Sequence, residues 1–319
     1  MTESSYHTPI MLEEVLELLT PERCRVTVDG TLGGGGHSEG ILERLPQSSV
    51  HFGIDRDEEA IRAACKRLER FPNFHAIHGN FFDMKALLPL AEYGAAGADG
   101  ILLDLGVSSH QLDDGTRGFS YGEEAPLDMR MDRGAPLTAY DVVNGYEQRR
   151  LFEIIRDYGE ERFAWRVAGA IADERKKAPI KTTTELAAVI KAAIPAAARR
   201  EGPHPARRTF QAIRIEVNSE LDGLEAAVRS AASLLNPGGV LCVITFHSLE
   251  DRIVKNLFRE LKNPCTCPPS APICTCGRKP MAEILTGKPL TAGKDELERN
   301  PRSRSAKLRA IRRTENEFS

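Results

Sequence analysis

The sequence predicts an α/β protein with a mostly parallel sheet and an all-helical block inserted into it. Three observations lead to this prediction. Short β-branched runs alternate with helical patterns over the first third of the chain. Residues 138–200 then show helical periodicity alone, and a βα pattern resumes near residue 235. A chain of 319 residues is long enough for two cores of ordinary size.

The first third of the chain contains four predicted strands, and the segments between them have apolar residues at helical spacing. Asp57 is placed to cap the second of these helices. The predicted strands are RVTVDG (25–30), VHFGID (50–55), NFHAIHG (73–79) and ADGILLDLG (98–106). The predicted helices are HSEGILERL (37–45), DEEAIRAACKRLER (57–70) and FDMKALLPLAEYG (82–94).

The rest of the chain is organised differently. Residues 106–136 are rich in Gly, Ser, Asp and Pro and predict long ordered loops, and three helical patterns follow. Residues 210–235 predict one long amphipathic helix, before the strand in NPGGVLCVITFHS and a last strand in SAKLRAI. We therefore expect a catalytic domain in two parts, 1–112 and 211–319, and an inserted helical domain at 113–210.

Composition points to a globular protein of the cytoplasm. Hydrophobic residues make up 41% of the chain and charged residues 28%. No apolar run approaches the roughly 18 residues that cross a bilayer, and the first residues lack a secretory pattern. The net charge of −3 leaves only local basic patches for a polyanionic partner.

The stretch VDGTLGGGGHSEG predicts a nucleoside-cofactor site at the carboxyl edge of the sheet. A strand leads into a glycine turn that opens a helix, and the next strand ends in Asp55, 20 residues after Gly35. The dinucleotide pattern GxGxxG fails, because Ser38 or Glu39 occupies its last position. Asp29 would repel pyrophosphate but suits the cationic methionyl end of S-adenosylmethionine. Phe81 follows the third strand, where an aromatic side chain covers an adenine or belongs to the core.

Asp104 ends the fourth strand and is the predicted catalytic residue. A carboxylate there can accept a hydrogen bond from an exocyclic amine and align its nitrogen with the transferable methyl group. The alternative is a helix cap or a loop-ordering contact. Leu105 and Gly106 stand where amino-methyltransferases of nucleic acids commonly have two prolines. The aromatic residue that stacks on the base is left open among Phe119, Tyr121 and Phe246.

Several longer motifs together resemble the bacterial RsmH (MraW) family, and the resemblance covers nearly the whole chain. The motifs are YHTPIMLEEV, VDGTLGGGGHSEGIL, GIDRD, DGILLDLGVSSHQLDDGTRGFSY, PLDMRMD, RTFQAIRIEVNSEL, FHSLEDRIVK and NPRSRSAKLRAI. The resemblance implies an S-adenosylmethionine-dependent methyltransferase that modifies N4 of a cytidine in the decoding centre of 16S rRNA. It also implies a class I methyltransferase fold interrupted by a helical substrate-recognition domain.

The same resemblance implies the site residues. The cofactor contacts carried over from the family are Gly35, Gly36, His37, Asp55, Phe81, Asp104 and Gln111. In this family His110 is usually another residue, so no catalytic role is assigned to it. The implied partner is 16S rRNA within the 30S subunit, and a homodimer is possible.

Basic residues are the candidates for RNA contacts, although a charged run is more often a solvated face. They are Arg199, Arg200, Arg207, Arg208, Arg214, Arg302, Arg304, Lys307, Arg309, Arg312 and Arg313. Because SAKLRAI also has strand character, residues 302–313 are expected to be structural first and RNA-binding second.

Four of the seven cysteines form two CxC pairs, at Cys265, Cys267, Cys274 and Cys276. Four thiolates so close can bind zinc, but structural zinc pairs normally have two to four residues between the cysteines. A reduced, proline-rich surface loop is the favoured interpretation, and no metal is assigned. Two other functions stay open: an NAD-dependent oxidoreductase, and a ribosome-assembly factor that binds RNA without catalysis.

Overall fold

The computed structural model describes residues 9–107, 114–200, 204–268, 273 and 275–316. The chain forms two compact units. The α/β unit comprises Met1–Gly106 and Gly223–Ser319, and the helical unit comprises Val107–Asp222. The helical unit therefore interrupts the α/β unit in sequence. That residues 113–210 recognise the substrate stays a prediction.

The α/β unit contains one sheet of seven strands. They are β1 (Val26–Asp29), β2 (Val50–Asp55), β3 (Phe74–His78), β4 (Ala98–Asp104), β5 (Leu235–Thr245), β6 (Ala282–Ile284) and β7 (Lys307–Arg313). Their order is β3-β2-β1-β4-β5-β7-β6. Strands β1 to β5 pair in parallel, whereas β7 is antiparallel to both β5 and β6. The predicted α/β class is confirmed, and β6 has no counterpart among the predicted strands.

Thirteen α-helices lie within the described residues. In the α/β unit they are α1 (Leu12–Leu19), α2 (Gly36–Arg44), α3 (Glu58–Arg67), α4 (Met84–Leu87), α11 (Leu224–Leu234), α12 (Ser248–Lys262) and α13 (Lys294–Arg299). In the helical unit they are α5 (Ala139–Gly145), α6 (Gln148–Asp157), α7 (Ala164–Glu174), α8 (Thr183–Ala193), α9 (Ala196–Arg199) and α10 (Arg207–Asn218). Short 3₁₀ turns occupy Pro21–Arg23, Phe81–Asp83, Leu90–Tyr93 and Pro301–Ser305.

Burial explains why the central strands read as continuous apolar runs. Ile101, Leu102 and Leu103 are consecutive in β4, and all three are fully buried. Successive side chains of a strand point to opposite faces, so both faces of the sheet are covered. Helix α1 contributes to this cover through Val15 and Leu16, and it has no counterpart among the predicted elements.

The helical unit has its own core, which includes much of the long predicted loop. Phe119, Leu127, Met129 and Met131 are buried together with residues of helices α5 to α8 and α10. Within the described part of 106–136 the backbone forms no helix or strand. The buried guanidinium of Arg117 donates hydrogen bonds to the carbonyl oxygens of Arg130 and Met131 instead. An internal cation with backbone partners thus orders this segment.

The single helix predicted for residues 210–235 is wrong, because the chain breaks between α10 and α11. Ser219 adopts a left-handed conformation with φ 49°, and Gly223 does so with φ 84°. Arg214 of α10 donates two hydrogen bonds of 2.8 Å to the carboxylate of Glu220, which lies within the break. Apolar residues keep their helical spacing across this segment, which is why the pattern predicts one helix. Gly223 nevertheless interrupts the helical path, because glycine adopts a left-handed conformation at little cost.

The continuous helix predicted for residues 82–94 is also wrong. Helix α4 ends at Leu87, and Leu88 is extended with φ −78° and ψ 120°. The cause is Pro89, which has no N–H to donate and disfavours helical geometry in the residue before it. Asp57 caps α3 as predicted, since its carboxylate accepts from the backbone N–H of Glu59 at 3.0 Å.

Within the described ranges, no helix combines the length and the apolar character that a bilayer crossing requires.

We expect Gly223→Ala to lower the stability of the α/β unit by about 1 kcal/mol, because a Cβ is disfavoured at a left-handed φ. The measurement is the midpoint of thermal unfolding, which should fall by about 2–4 °C. Gly287→Ala is the matched control in the same unit, since no heavy atom lies within 4 Å of the added Cβ. Equal midpoints for the two variants would contradict the role given to Gly223.

Candidate functional site

Three carboxylates end neighbouring strands of the parallel sheet. Asp29 ends β1, Asp55 ends β2 and Asp104 ends β4. Strand β1 pairs with both β2 and β4, so the strand order reverses at β1. Ligands of open α/β sheets bind at such a switch point, outside the carboxyl ends of the strands. The three residues predicted from separate motifs therefore share one edge of the sheet.

The glycine turn of residues 33–36 presents backbone atoms, with no side chains, at the carboxyl edge of the sheet. Gly33 and Gly35 have φ values of 50° and 77°, and α2 begins directly afterwards at Gly36. A Cβ on Gly35 would lie 3.2 Å from the side chains of Ala64 and Leu68. Gly35 is therefore needed for the turn and for its packing on α3, whether or not it touches a cofactor.

Asp55 is held in place by backbone donors of two loops. Its Oδ2 accepts from the N–H of Gly33 at 2.7 Å, and its Oδ1 accepts from the N–H of Asp57 at 2.9 Å. Burial raises the pKa of Asp55, and the two backbone hydrogen bonds oppose that shift. Each carboxylate oxygen retains further acceptor capacity, so the group can also bind hydroxyl donors such as those of a ribose.

Asp29 lies at the start of a buried hydrogen-bond chain. Its side chain is 1% exposed and accepts from the Ser38 hydroxyl at 2.8 Å. The Ser38 Oγ lies 2.9 Å from Nε2 of His51, whose Nδ1 lies 2.8 Å from the Thr27 hydroxyl. Burial lowers the pKa of His51 to about 3, so this ring is neutral at physiological pH. The chain Asp29, Ser38, His51 and Thr27 fixes α2 against β1 and β2.

Thr31 connects Asp29 to Asp104. Its N–H donates to Oδ1 of Asp29 at 3.1 Å, and its hydroxyl oxygen accepts from the N–H of Asp104 at 2.6 Å. One residue thus links the carboxylate of Asp29 to the backbone of Asp104, 75 positions further along the chain. Sequence reasoning missed Thr31, Ser38 and His51. The only sequence signal was that two of them lie within the glycine-turn motif.

Asp104 and His37 carry buried polar atoms that have no hydrogen-bond partner among the described residues. These atoms are Oδ1 of Asp104 and both ring nitrogens of His37. Nε2 of His37 lies 3.6 Å from Oδ2 of Asp104, which is longer than a hydrogen bond. Buried polar groups are almost always paired in folded proteins. The side chains of Asp104 and His37 are therefore the groups at this edge that a polar ligand would best satisfy.

Phe81 lies beside the Asp-Gly turn that follows β1. Its Cβ would be 3.2 Å from a Cβ placed on Gly30, and its ring contacts Phe82 edge-on with centroids 4.8 Å apart. The ring is partly buried and belongs to no described apolar cluster. This position is compatible with its predicted place over an adenine.

The structure separates the three candidate aromatic residues. Phe119 is only 8% exposed and belongs to the core of the helical unit. Tyr121 stacks on His204 at 4.6 Å, and Phe210 contacts it edge-on. Phe246 directly follows β5, and its ring lies 3.4 Å from where a Cβ on Gly106 would be. Phe246 therefore lies next to the residues that follow β4, in the α/β unit.

Most of the basic residues on β7 that were candidates for RNA contacts make ion pairs or hydrogen bonds within the protein. Arg309 is 7% exposed and donates to Asp251 at 2.7 Å, and Lys307 donates to the same carboxylate at 3.1 Å. The expectation that this segment is structural first is confirmed by its place in the sheet. In the helical unit, Arg199 and Arg200 are exposed.

Residues 108–113 lie outside the described residues, and they include Ser108, Ser109, His110 and Gln111. The predicted cofactor contact of Gln111 therefore stays a prediction. Cys274 of the cysteine motif also lies outside the described residues.

Comparison with known proteins assigns the chain to a family. Residues 4–314 match the sequence profile described as the MraW methylase family. The chain belongs to this family. A relative from Clostridium botulinum (strain Kyoto / Type A2) is 52% identical over 307 residues, which is 96% of this chain and 98% of the relative. A relative from Symbiobacterium thermophilum is 52% identical over 306 residues, 96% of each chain. Both are named ribosomal RNA small subunit methyltransferase H.

Membership of the MraW methylase family confirms two predictions from the sequence motifs. The mostly parallel seven-stranded sheet is a methyltransferase fold, and S-adenosylmethionine is its cofactor. The residues at the sheet edge fit such a ligand, because they offer a buried carboxylate, unpartnered polar atoms and a backbone turn without side chains.

We expect Ser38→Ala to destabilise the α/β unit by about 1–3 kcal/mol, because it leaves a buried acceptor on Asp29 and a buried N–H donor on His51 with one partner fewer. The measurement is the midpoint of urea-induced unfolding. Ser48→Ala is the control, since Ser48 is exposed on the same unit and its loss should change stability by no more than about 0.5 kcal/mol. If the two variants unfolded at the same urea concentration, the buried chain would have no structural role.

Proposed function

We propose that this member of the MraW methylase family transfers a methyl group from S-adenosylmethionine to N4 of a cytidine in the decoding centre of 16S rRNA. The relatives named ribosomal RNA small subunit methyltransferase H support the substrate class, since they match over nearly their whole length. The single structural observation that favours an amine is the acceptor oxygen of Asp104, which is buried without a partner at the end of β4.

The cofactor is held, in this proposal, by the edge residues already described. Asp55 accepts the ribose hydroxyls, because its two oxygens are oriented by the N–H groups of Gly33 and Asp57. Gly35 and Gly36 let the backbone approach closely, and Phe81 covers the adenine. The cofactor supplies an electrophilic methyl group on a sulfonium, so the protein has to bind, orient and exclude water.

The methionyl end lies nearest Asp29 in this arrangement. Burial raises the pKa of Asp29, so the ionised carboxylate is disfavoured in the protein alone. An ammonium or sulfonium charge nearby favours the ionised form and lowers that pKa again. Asp29 therefore discriminates in favour of a cationic ligand and against pyrophosphate, which also argues against the NAD-dependent alternative.

Asp104 orients the amine of the target base. Its Oδ1 accepts a hydrogen bond from the exocyclic NH₂, which directs the nitrogen lone pair towards the methyl group. His37 lies 3.6 Å from the other carboxylate oxygen and can hold it in place through one of its ring nitrogens. The nitrogen loses its proton after the transfer, when it has become a stronger acid, so no strong base is required at this site.

Phe246 is the aromatic residue that stacks on the target base in this proposal. A base must leave its stack to reach an amino-methylating site, and an aromatic face stabilises it there. Phe246 follows β5 beside Gly106, whereas the rings of Phe119 and Tyr121 are engaged inside the helical unit.

The helical unit, with residues 113–210 at its centre, is proposed to bind the ribosomal RNA. Its exposed arginines Arg199 and Arg200 can contact phosphates. The proposed partner is the 30S subunit and the proposed location is the cytoplasm, where that subunit assembles. Dimerisation stays a prediction.

We expect Asp104→Ala to lower kcat for methyl transfer by about 100-fold or more, because it removes the acceptor that orients the amine. Asp55→Ala should instead weaken cofactor binding about tenfold or more, through loss of hydrogen bonds to a charged group. The measurements are transfer of labelled methyl groups to 30S subunits, calorimetric titration with S-adenosylmethionine, and mass spectrometry of the methylated nucleoside.

Asp295→Asn is the control for these carboxylate variants, because Asp295 is exposed on α13. It should leave both transfer and cofactor binding unchanged. Full transfer by Asp104→Ala would show that Asp104 has no part in the reaction. A methylated nucleoside other than N4-methylcytidine would overturn the proposed product but not the cofactor site. Cofactor binding without any transfer by the unmodified protein would favour the assembly-factor alternative.

We expect Phe246→Leu to raise KM for 30S subunits about tenfold, since stacking on a base contributes about 1–3 kcal/mol. Phe246→Tyr retains an aromatic face and should restore the KM. Steady-state kinetics with saturating cofactor provide the measurement. An unchanged KM in the leucine variant would exclude Phe246 as the stacking residue.

A further inference from the structure

Three cysteine sulfurs meet in the loop that joins α12 to β6. The Sγ atoms of Cys265, Cys267 and Cys276 all lie within 4.8 Å of one another, and those of Cys265 and Cys276 are 3.7 Å apart. The loop spans residues 263–281 and is remote in sequence from the carboxylates of the cofactor site. Nothing in the proposed methyl transfer uses these thiols.

We propose that Cys265, Cys267 and Cys276 bind a structural zinc ion that orders the loop of residues 263–281. A tetrahedral site with Zn–S bonds of about 2.3 Å places its sulfurs about 3.8 Å apart. The separation of 3.7 Å between Cys265 and Cys276 matches that edge. The backbone N–H of Thr275 also points at Sγ of Cys267 over 3.4 Å, an arrangement that suits an anionic sulfur ligand.

Hydrophobic packing does not explain why these thiols come together. Cysteine is among the most buried residue types, and Cys24 and Cys242 follow that rule with 4% and 0% exposure. Cys265 is exposed, Cys267 and Cys276 are partly exposed, and none of the three belongs to a described apolar cluster. A shared ligand accounts for their proximity where apolar burial does not.

The loop itself needs a constraint of this kind. Its described residues form no helix or strand, and loops longer than about 12–15 residues are uncommon without an ordering element. At its base, the N–H of Met281 donates to the carbonyl oxygen of Leu261 at 2.8 Å. This hydrogen bond joins the two arms of the loop, one that leaves α12 and one that leads to β6. A zinc ion would add a second link, because Cys265 and Cys267 lie on the first arm and Cys276 lies on the second.

Zinc is the metal that this donor set favours. Soft thiolates select zinc, copper(I) or iron–sulfur clusters, and of these zinc is the ion that stabilises loops without redox chemistry. The CxC spacing is tighter than in most zinc pairs, but the third sulfur comes from the opposite arm of the loop, so the three need not share one turn. Each thiol that binds releases its proton to solvent.

The test is the metal content of the full-length protein, purified under reducing conditions from zinc-supplemented medium. Native mass spectrometry and elemental analysis should give one zinc ion per chain. Cys265→Ser, Cys267→Ser and Cys276→Ser should each lose most of that zinc. Cys65→Ser is the matched control, because Cys65 is exposed on α3 and should leave the zinc content unchanged.

Two further readouts separate metal loss from misfolding. Each serine variant should keep the thermal shift produced by S-adenosylmethionine, because the cofactor residues are unchanged, while proteolysis between residues 263 and 281 becomes faster. Cobalt exchanged into the unmodified protein should give an intense thiolate-to-cobalt absorption band, and Cys276→Ser should lose it.

The proposal is overturned if the reduced protein holds no zinc after incubation with excess zinc. It is equally overturned if Cys65→Ser loses as much metal as the three loop variants, or if copper or iron binds in place of zinc. A mass lower by two hydrogens, with Cys265 and Cys276 joined in a disulfide, would assign the cluster to redox chemistry instead.

Discussion

The buried carboxylate of Asp29 is the constraint on which the cofactor edge depends. A carboxylate with 1% exposure is costly to ionise unless several donors surround it, and Thr31 and Ser38 supply them. Thr31 leads into the glycine turn and Ser38 lies in α2 directly after it, so their hydrogen bonds to Asp29 fix both ends of that turn against β1. Because burial raises the pKa of Asp29, the native protein holds the carboxyl proton more tightly than the unfolded chain does. The resulting contribution to stability is fully present below the ordinary pKa of 3.8 and is lost as the pH rises through the native pKa. A cation bound beside it offsets that loss.

The motifs of the chain divide between chemistry and architecture. Asp29, Asp55 and Asp104 end their strands at one edge, where the α/β unit can bind a ligand. The segments DGTRGFSY and PLDMRMD are different, since Arg117 and Met129 are buried and the neighbouring apolar residues form the core of the helical unit. A distinctive sequence motif is therefore no evidence that its residues touch substrate. The C-terminal cations show the same, because Arg309 of β7 donates to the carboxylate of Asp251 on α12.

Much of the fold could be predicted from local patterns, and the errors have local causes. Strands β1 to β5 and β7 follow from apolar runs, and Asp57 follows from helix-capping chemistry. The two wrong helices arose because apolar spacing continues through Pro89 and Gly223, where the backbone cannot remain helical at low cost. The roles of Ser38 and His51 could not be predicted, because their hydrogen bonds join residues on different elements.

By itself, the sequence determined the α/β class, the helical block and the carboxylates at the strand ends, because alternation, helical spacing and strand termini are properties of neighbouring residues. The family motifs in the sequence further predicted the cofactor and the methyltransferase chemistry. Only the tertiary structure decided that Thr31 joins Asp29 to Asp104, that Phe119 is core whereas Phe246 lies beside Gly106, and that three sulfurs of one loop converge. The reason is physical: hydrogen bonds, ring contacts and sulfur–sulfur distances depend on the spatial approach of residues that are not neighbours in the chain.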